Sequence, residues 1–142
     1  MTDLMDELIS KGNKCHESRD LLGALDYYRS ALDLDNSQSM IRMKMGIIFS
    51  DLLDWENALT SYEKAVKYDS KSELIWLNFG ITHARMKNYE KALECFEHST
   101  QLDDTYVDAW KAKCQILDDL GRYDDAKVCG EKICELTKNN RF

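Results

Sequence analysis

The sequence predicts an all-α fold, an α-solenoid of four successive helical hairpins. Three observations carry that expectation. A motif recurs every 34 residues, the apolar residues within each copy fall at helical spacing, and the 142-residue chain contains no proline to interrupt a helix. The clearest copy runs from Leu74 to Phe96, where Trp76-Leu77-Asn78-Phe79-Gly80 leads into Asn88-Tyr89-Glu90-Lys91-Ala92-Leu93-Glu94-Cys95-Phe96. The spacing predicts a helix, a short turn at Lys87-Asn88, and a second helix with Tyr89, Ala92, Leu93 and Phe96 on one face. Asp54-Trp55-Glu56-Asn57-Ala58-Leu59 lies 34 residues upstream of Asn88–Leu93, and Asp20-Leu21-Leu22-Gly23-Ala24-Leu25 another 34 upstream. Arg122-Tyr123-Asp124-Asp125-Ala126 follows 34 downstream.

Other columns keep the same period. Gly12, Gly46 and Gly80 share one position, which Cys114 breaks, and Tyr28, Tyr62 and Phe96 share another, which ends in Gly130. Ala31, Ala65, Ser99 and Ile133 form a column of mostly small residues; Leu34, Tyr68, Leu102 and Leu136 form an apolar one. Small residues such as Gly46 and Ala58 let two helices approach, and the aromatic at Tyr62 is expected to fill the space toward the neighbouring unit. In chain order, Met1 to Leu4 is a short lead-in, the first helix spans roughly Met5 to Ser18, and Asp20 caps a second that continues to about Asp33. Glu56 and Glu90 fall in first turns, where a negative charge meets the positive end of the helix dipole. Asp35, Asp69 and Asp103 mark helix ends, and Thr137-Lys138-Asn139-Asn140 reads as a polar tail.

Composition excludes several classes of function. A net charge of −7 argues against a nucleic-acid partner, because binding there depends on Lys and Arg neutralising phosphates. No apolar run approaches about 18 residues, and no leader-like segment opens the chain, so no membrane association is expected and the location expected is cytoplasmic. Cys15, Cys95, Cys114, Cys129 and Cys134 are odd in number and contain no Cys-x-x-Cys pair, which suits small buried hydrophobes in a reducing compartment. Cys15 with His16, or Cys129 with Cys134, does not gather metal ligands; an i, i+5 pair stands about 140° apart around a helix. No metal and no cofactor are expected. His16, His83 and His98 occupy different repeat positions, and Asp103-Asp104, Asp118-Asp119 and Asp124-Asp125 read as caps and turns rather than acid–base pairs. The chain is not expected to be an enzyme.

These residues resemble the tetratricopeptide repeat, TPR, a 34-residue helix–turn–helix with an aromatic and Leu-Gly in helix A, then Ala and an aromatic in helix B. The units fall at 5–38, 39–72, 73–106 and 107–140, one domain over 1–142. Two departures stand out. Helix A carries Trp76 and Trp110 in the last two units, but Leu8 and Arg42 in the first two. Asn36, Ser70, Asp104 and Lys138 replace the usual junction proline, and the first three are read as caps of the following helix.

The resemblance implies a right-handed superhelix whose concave groove is lined by helix A. Carried onto this sequence, the groove-facing positions give a peptide-binding set of Ile9, Asn13, Met40, Met43, Lys44, Ile47, Leu74, Leu77, Asn78, Ile81, Arg85 and Lys111. The same positions add Asp6, Ser10, His16, Glu17, Ser50, Asp51, Ala84, Asp108, Ala112, Gln115, Asp118 and Asp119. The middle of that groove, from Met40 to Ile81, is apolar and its ends are mostly acidic. Flexible thioethers beside branched aliphatics suit an apolar segment of variable shape. The clamp by which some family members grip acidic chaperone tails is not matched: Asn13 is kept, but Ile9, Lys44, Leu74 and Asn78 stand where its other polar residues would be. Burying an aliphatic side chain gains about 1.5–3 kcal/mol, and association costs about 4–15 kcal/mol, so micromolar binding is expected. The first reading is an adaptor that takes an apolar or amphipathic segment of a protein partner, with basic flanks to meet Asp51, Asp118 and Asp119. The second is a homo-oligomer that covers the groove, or the face around Val128, Cys129 and Ile133, with another copy.

Overall fold

The computed structural model describes residues 2–138, and these form eight α-helices with no strand among them. They are α1 (Thr2–Glu17), α2 (Leu21–Leu34), α3 (Ser39–Asp51), α4 (Trp55–Tyr68), α5 (Glu73–Arg85), α6 (Tyr89–Leu102), α7 (Val107–Asp119) and α8 (Tyr123–Lys138). Neighbours in sequence pack as hairpins, α1 on α2, α3 on α4, α5 on α6 and α7 on α8. The chain divides into two compact units, Met1–Ser70 and Lys71–Phe142, each of two hairpins.

Both ends depart from expectation. The first helix starts at Thr2, so residues 2–4 of the expected lead-in are helical. The last runs to Lys138, where the Thr137 hydroxyl donates to the Ile133 carbonyl, so the polar tail begins inside the helix. Asn139 and Asn140 lie outside the described residues.

Within every hairpin the turn is built alike. Arg19, Leu53, Lys87 and Gly121 occupy one repeat position, and all are left-handed, with φ of 67°, 61°, 63° and 75°. The next residue's N–H then reaches back to a carbonyl of the first helix: Asp20 to Cys15, Asp54 to Phe49, Asn88 to His83 and Arg122 to Leu117, at 2.8–2.9 Å. This pairing satisfies carbonyls that a helix end leaves exposed. The second helix starts immediately. Asp20 caps it as expected, accepting from the Gly23 N–H, and Asp54 does the same with the Asn57 N–H, whereas Asn88 makes no side-chain cap.

Between the helices of a hairpin the decisive contact is glycine against a ring. Tyr28, Tyr62 and Phe96 are fully buried. A Cβ at Gly12 would stand 2.5 Å from Tyr28 Cε1, one at Gly46 2.8 Å from Tyr62 Cζ, and one at Gly80 2.5 Å from Phe96 Cε1. The ring therefore lies directly on the backbone of the partner helix. The fourth hairpin inverts the pair: Cys114 brings a side chain, whose Sγ donates to the Ala126 carbonyl at 3.5 Å, and Gly130 omits the ring. Around these contacts the first unit gathers Leu25, Ile41, Met45, Ile48 and Phe49, and the second Leu77, Leu93, Ala109, Ile116 and Leu117.

The junctions between hairpins explain the missing prolines. Asn36, Ser70 and Asp104 are not the caps of the following helices; the cap positions are Gln38, Ser72 and Tyr106, and of these Ser72 accepts a helix N–H, from Ile75. What Asn36 and Asp104 supply instead is a carbonyl. Trp110 Nε1 donates to the Asp104 carbonyl at 2.8 Å, and Arg42 Nη2 donates to the Asn36 carbonyl at 2.9 Å. Arg42 also lies over the Tyr68 ring, 5.4 Å from its centroid. The guanidinium is flat, stacks on an aromatic and donates at its edge, so it does the work of an indole. Just before each of these junctions an aspartate ties the turn. Asp35 accepts from the Ser37 N–H and hydroxyl and from the Gln38 amide, which hold its carboxyl at about 2; Thr105 lowers Asp103 in the same way.

Three outcomes follow. Gly80→Ala gains at most about 1 kcal/mol of helix propensity but drives a methyl into a buried ring, so urea unfolding should show a net loss of about 1–2 kcal/mol. Because Asp35 titrates below its ordinary value of 3.8, its contribution is complete above about pH 4 and is lost as the pH falls through about 2. Unfolding measured between pH 4 and pH 2 should accordingly depend less steeply on pH in Asp35→Asn. With iodoacetamide at pH 8, exposed Cys134 should react first; Cys129 is buried and burial pushes the Cys95 thiol up to about 12, so both should stay unmodified until the chain unfolds.

Candidate functional site

The expected groove residues separate by repeat position. Ile9, Met43, Leu77 and Lys111 share one. Leu77 belongs to the second unit's core and is 6% exposed; Ile9 packs on the first unit's core; Met43 is 4% exposed. Exposure of Met43 and Leu77 is therefore corrected. In each unit this position on the first hairpin faces the second, and only Lys111, on the last hairpin, is exposed. Met40 and Ile81 are exposed, at 38% and 40%, while Ile47 and Leu74 are half-buried. Asn78 turns back to donate to the Leu74 carbonyl of its own helix at 3.0 Å.

In the first unit, the side chains between α1 and α3 bridge to one another. Asn13 Oδ1 accepts from the Tyr28 hydroxyl and, at 3.3 Å, from Lys44 Nζ. Burial pushes the Tyr28 phenol up to about 12, which keeps it a donor. Asp51 is held by His16 Nε2 at 3.4 Å and Arg19 Nη1 at 3.5 Å. Asp51 is thus contacted by His16 and Arg19 of its own chain rather than presented as a free acidic flank.

The second unit carries the same scaffold with different side chains. At the positions of Asn13 and His16 stand Ile81 and Ala84, and at those of Lys44 and Asp51 stand Ala112 and Asp119. The two alanines reach nowhere, and a cavity of about 320 Å³ remains between α5 and α7. Ile81, Tyr89, Phe96 and Ile116 make its apolar wall, with Ala84 and Ala112 beside them. Arg85, Gln115 and Asp119 line it with polar groups, and Gln115 Nε2 donates to Asp119 Oδ1 at 3.2 Å. Such a site is at the small end of ligand pockets, which run about 300–1,000 Å³, and suits one bulky apolar side chain. Tyr89, Phe96 and Ile116 were not among the expected groove residues. Their signal was the coincidence of alanine at two groove positions of consecutive hairpins.

Other clusters in this unit are packing. Trp76 stacks on His98 with centroids 4.3 Å apart, and Phe79 on His83 at 5.0 Å. Among the described residues no group of three His, Cys, Asp or Glu is placed to hold a metal ion, and no helix is long and apolar enough to cross a membrane.

Residues 74–106, which supply α5 and α6 and one wall of this cavity, match the family model described as Tetratricopeptide repeat. No curated protein matches the chain. Among solved structures, PilF of Pseudomonas aeruginosa is 22% identical with a TM-score of 0.88, over 97% of this chain and 63% of that one. MamA of Desulfovibrio magneticus RS-1 is 16% identical at 0.85, over 97% and 78%. The TPR domain of OM64 from Arabidopsis is 20% identical at 0.76, over 82% and 97%. At these identities the likeness is one of fold. The chain shares the all-α helical-repeat fold of these structures, and its 34-residue period carries a tetratricopeptide repeat at residues 74–106.

Proposed function

We propose that this protein is an interaction module whose second unit receives an apolar side chain from a protein partner in the cleft between α5 and α7. The observation that carries the reading is the contrast within the chain: one scaffold, bridged by polar side chains in the first unit and open and apolar in the second. A helical-repeat fold binds through surfaces of this kind, and an exposed apolar concavity rimmed with polar groups marks a docking site. One buried anchor contributes about 1.5–3 kcal/mol, less than the cost of association, so contacts beyond the cleft are needed and the complex is of micromolar strength. The five cysteines form no disulfide, which fits the cytoplasm as the place of action.

Self-association through the last helix is the second reading. Val128 is 64% exposed, which favours it. Against it, Cys129 is buried in its own core, and the last hairpin has Lys111 where its predecessor has Leu77 and Gly130 where it has Phe96. A lysine and a glycine at these positions leave less apolar surface for another copy to cover.

The test introduces the first unit's own solution into the second. Ala112→Lys places a lysine at the position of Lys44. With a partner identified by affinity capture, calorimetry should show about a tenfold or greater loss for Ala112→Lys and no change beyond twofold for Met40→Glu, which lies outside the cleft. Unchanged affinity in Ala112→Lys, with helicity and melting preserved, counts against the cleft; dimerisation of the isolated protein in light scattering favours the second reading.

A further inference from the structure

We infer that the segment entering this cleft carries a lysine or arginine next to its apolar anchor, and that the cation meets Asp119 and Asp118 at the end of α7. The inference rests on the proposed cleft and adds the charge of its occupant. The first unit shows what the scaffold requires at this place. Asp51, at the position of Asp119, is met there by His16 and Arg19, and the space beside it is crossed by the Lys44 side chain with its ammonium on Asn13. The second unit has lost those groups from its own chain. Ala84 stands for His16 and Ala112 for Lys44. Lys87, at the position of Arg19, makes no salt bridge among the described residues.

Asp119 keeps one neutral donor, the Gln115 amide, and neither it nor Asp118 is part of a salt bridge among the described residues. Both are exposed and occupy the last two positions of α7. Carboxylates there add to the negative end of the helix dipole instead of opposing it, so the site lacks a positive charge on two counts. Arg85 lines the same cavity from α5, across from Asp119 on α7. A bulky apolar side chain with a basic neighbour therefore supplies from another molecule the filling and the charge that Lys44, His16 and Arg19 supply within the first unit.

The experiment is a nitrogen–proton correlation titration of the full chain with three blocked dipeptide amides, acetyl-Phe-Lys, acetyl-Phe-Glu and acetyl-Ala-Lys. The expected result is movement of the Ile81, Ala84 and Ala112 amides with acetyl-Phe-Lys at low salt, about two- to fivefold stronger than with acetyl-Phe-Glu. An exposed ion pair supports a preference of that size. The preference should vanish in Asp118→Asn/Asp119→Asn and shrink in 0.5 M salt. Equal response to acetyl-Phe-Lys and acetyl-Phe-Glu overturns the charge inference and leaves the apolar cleft standing. Equal response to acetyl-Ala-Lys and acetyl-Phe-Lys, or no movement of those amides with any of the three, overturns the cleft itself and the inference with it.

Discussion

The contact on which the structure depends is that of a buried ring lying on the backbone of a partner helix. Tyr28 on Gly12, Tyr62 on Gly46 and Phe96 on Gly80 repeat it in three hairpins, with no room for a Cβ. Close approach exchanges a flexible interface for one of fixed separation, because a dense interior tolerates neither a void nor an added methyl. Once the hairpin has that geometry, Ala24, Ala58 and Ala92 are fully buried and the outward positions of the first helix take defined directions. The cleft of the second unit is one consequence, for Phe96 is both the ring that sets the α5–α6 separation and part of the cavity wall.

The two units place different side chains at matching repeat positions. Where the first has Lys44 bonded to Asn13, and Asp51 held by His16 and Arg19, the second has two alanines and an isoleucine. Removing long polar side chains leaves an apolar floor reachable from outside, and leaves Asp119 without the His16 and Arg19 contacts its counterpart has. Repetition allows a direct comparison: polar side chains bridge α1 and α3 in the first unit, and a cavity with an apolar wall lies between α5 and α7 in the second.

The same tolerance shows at the junctions and turns. Arg42 and Trp110 are chemically unlike, yet each donates to a carbonyl six residues earlier, at 2.9 and 2.8 Å. Arg19, Leu53 and Lys87 accept a left-handed conformation that favours glycine, because the reverse hydrogen bond beyond each of them closes the helix end. Such positions are held by backbone geometry, so the residues themselves vary.

Sequence alone determined the period and the columns of glycine and of aromatic residues, since these recur every 34 residues; that each ring lies on the glycine of its own hairpin, rather than toward the neighbouring unit, was decided by the tertiary structure. Asp20 as a cap, and Asp35, Asp69 and Asp103 as helix ends, were legible for the same reason. The site was only partly so. Ile81, Ala84, Ala112 and Asp119 could be assigned to an outward face, but Met43 and Leu77 were assigned there too and are buried. A helical wheel ranks residues by direction around one axis, and cannot tell a direction that meets solvent from one that meets the next hairpin. Tertiary structure decided which of those directions were occupied, through the depth of Tyr89, Phe96 and Ile116 and the reach of Lys44 and His16. Those depend on the spacing between helices and on side-chain length together, and neither is visible in a single repeat.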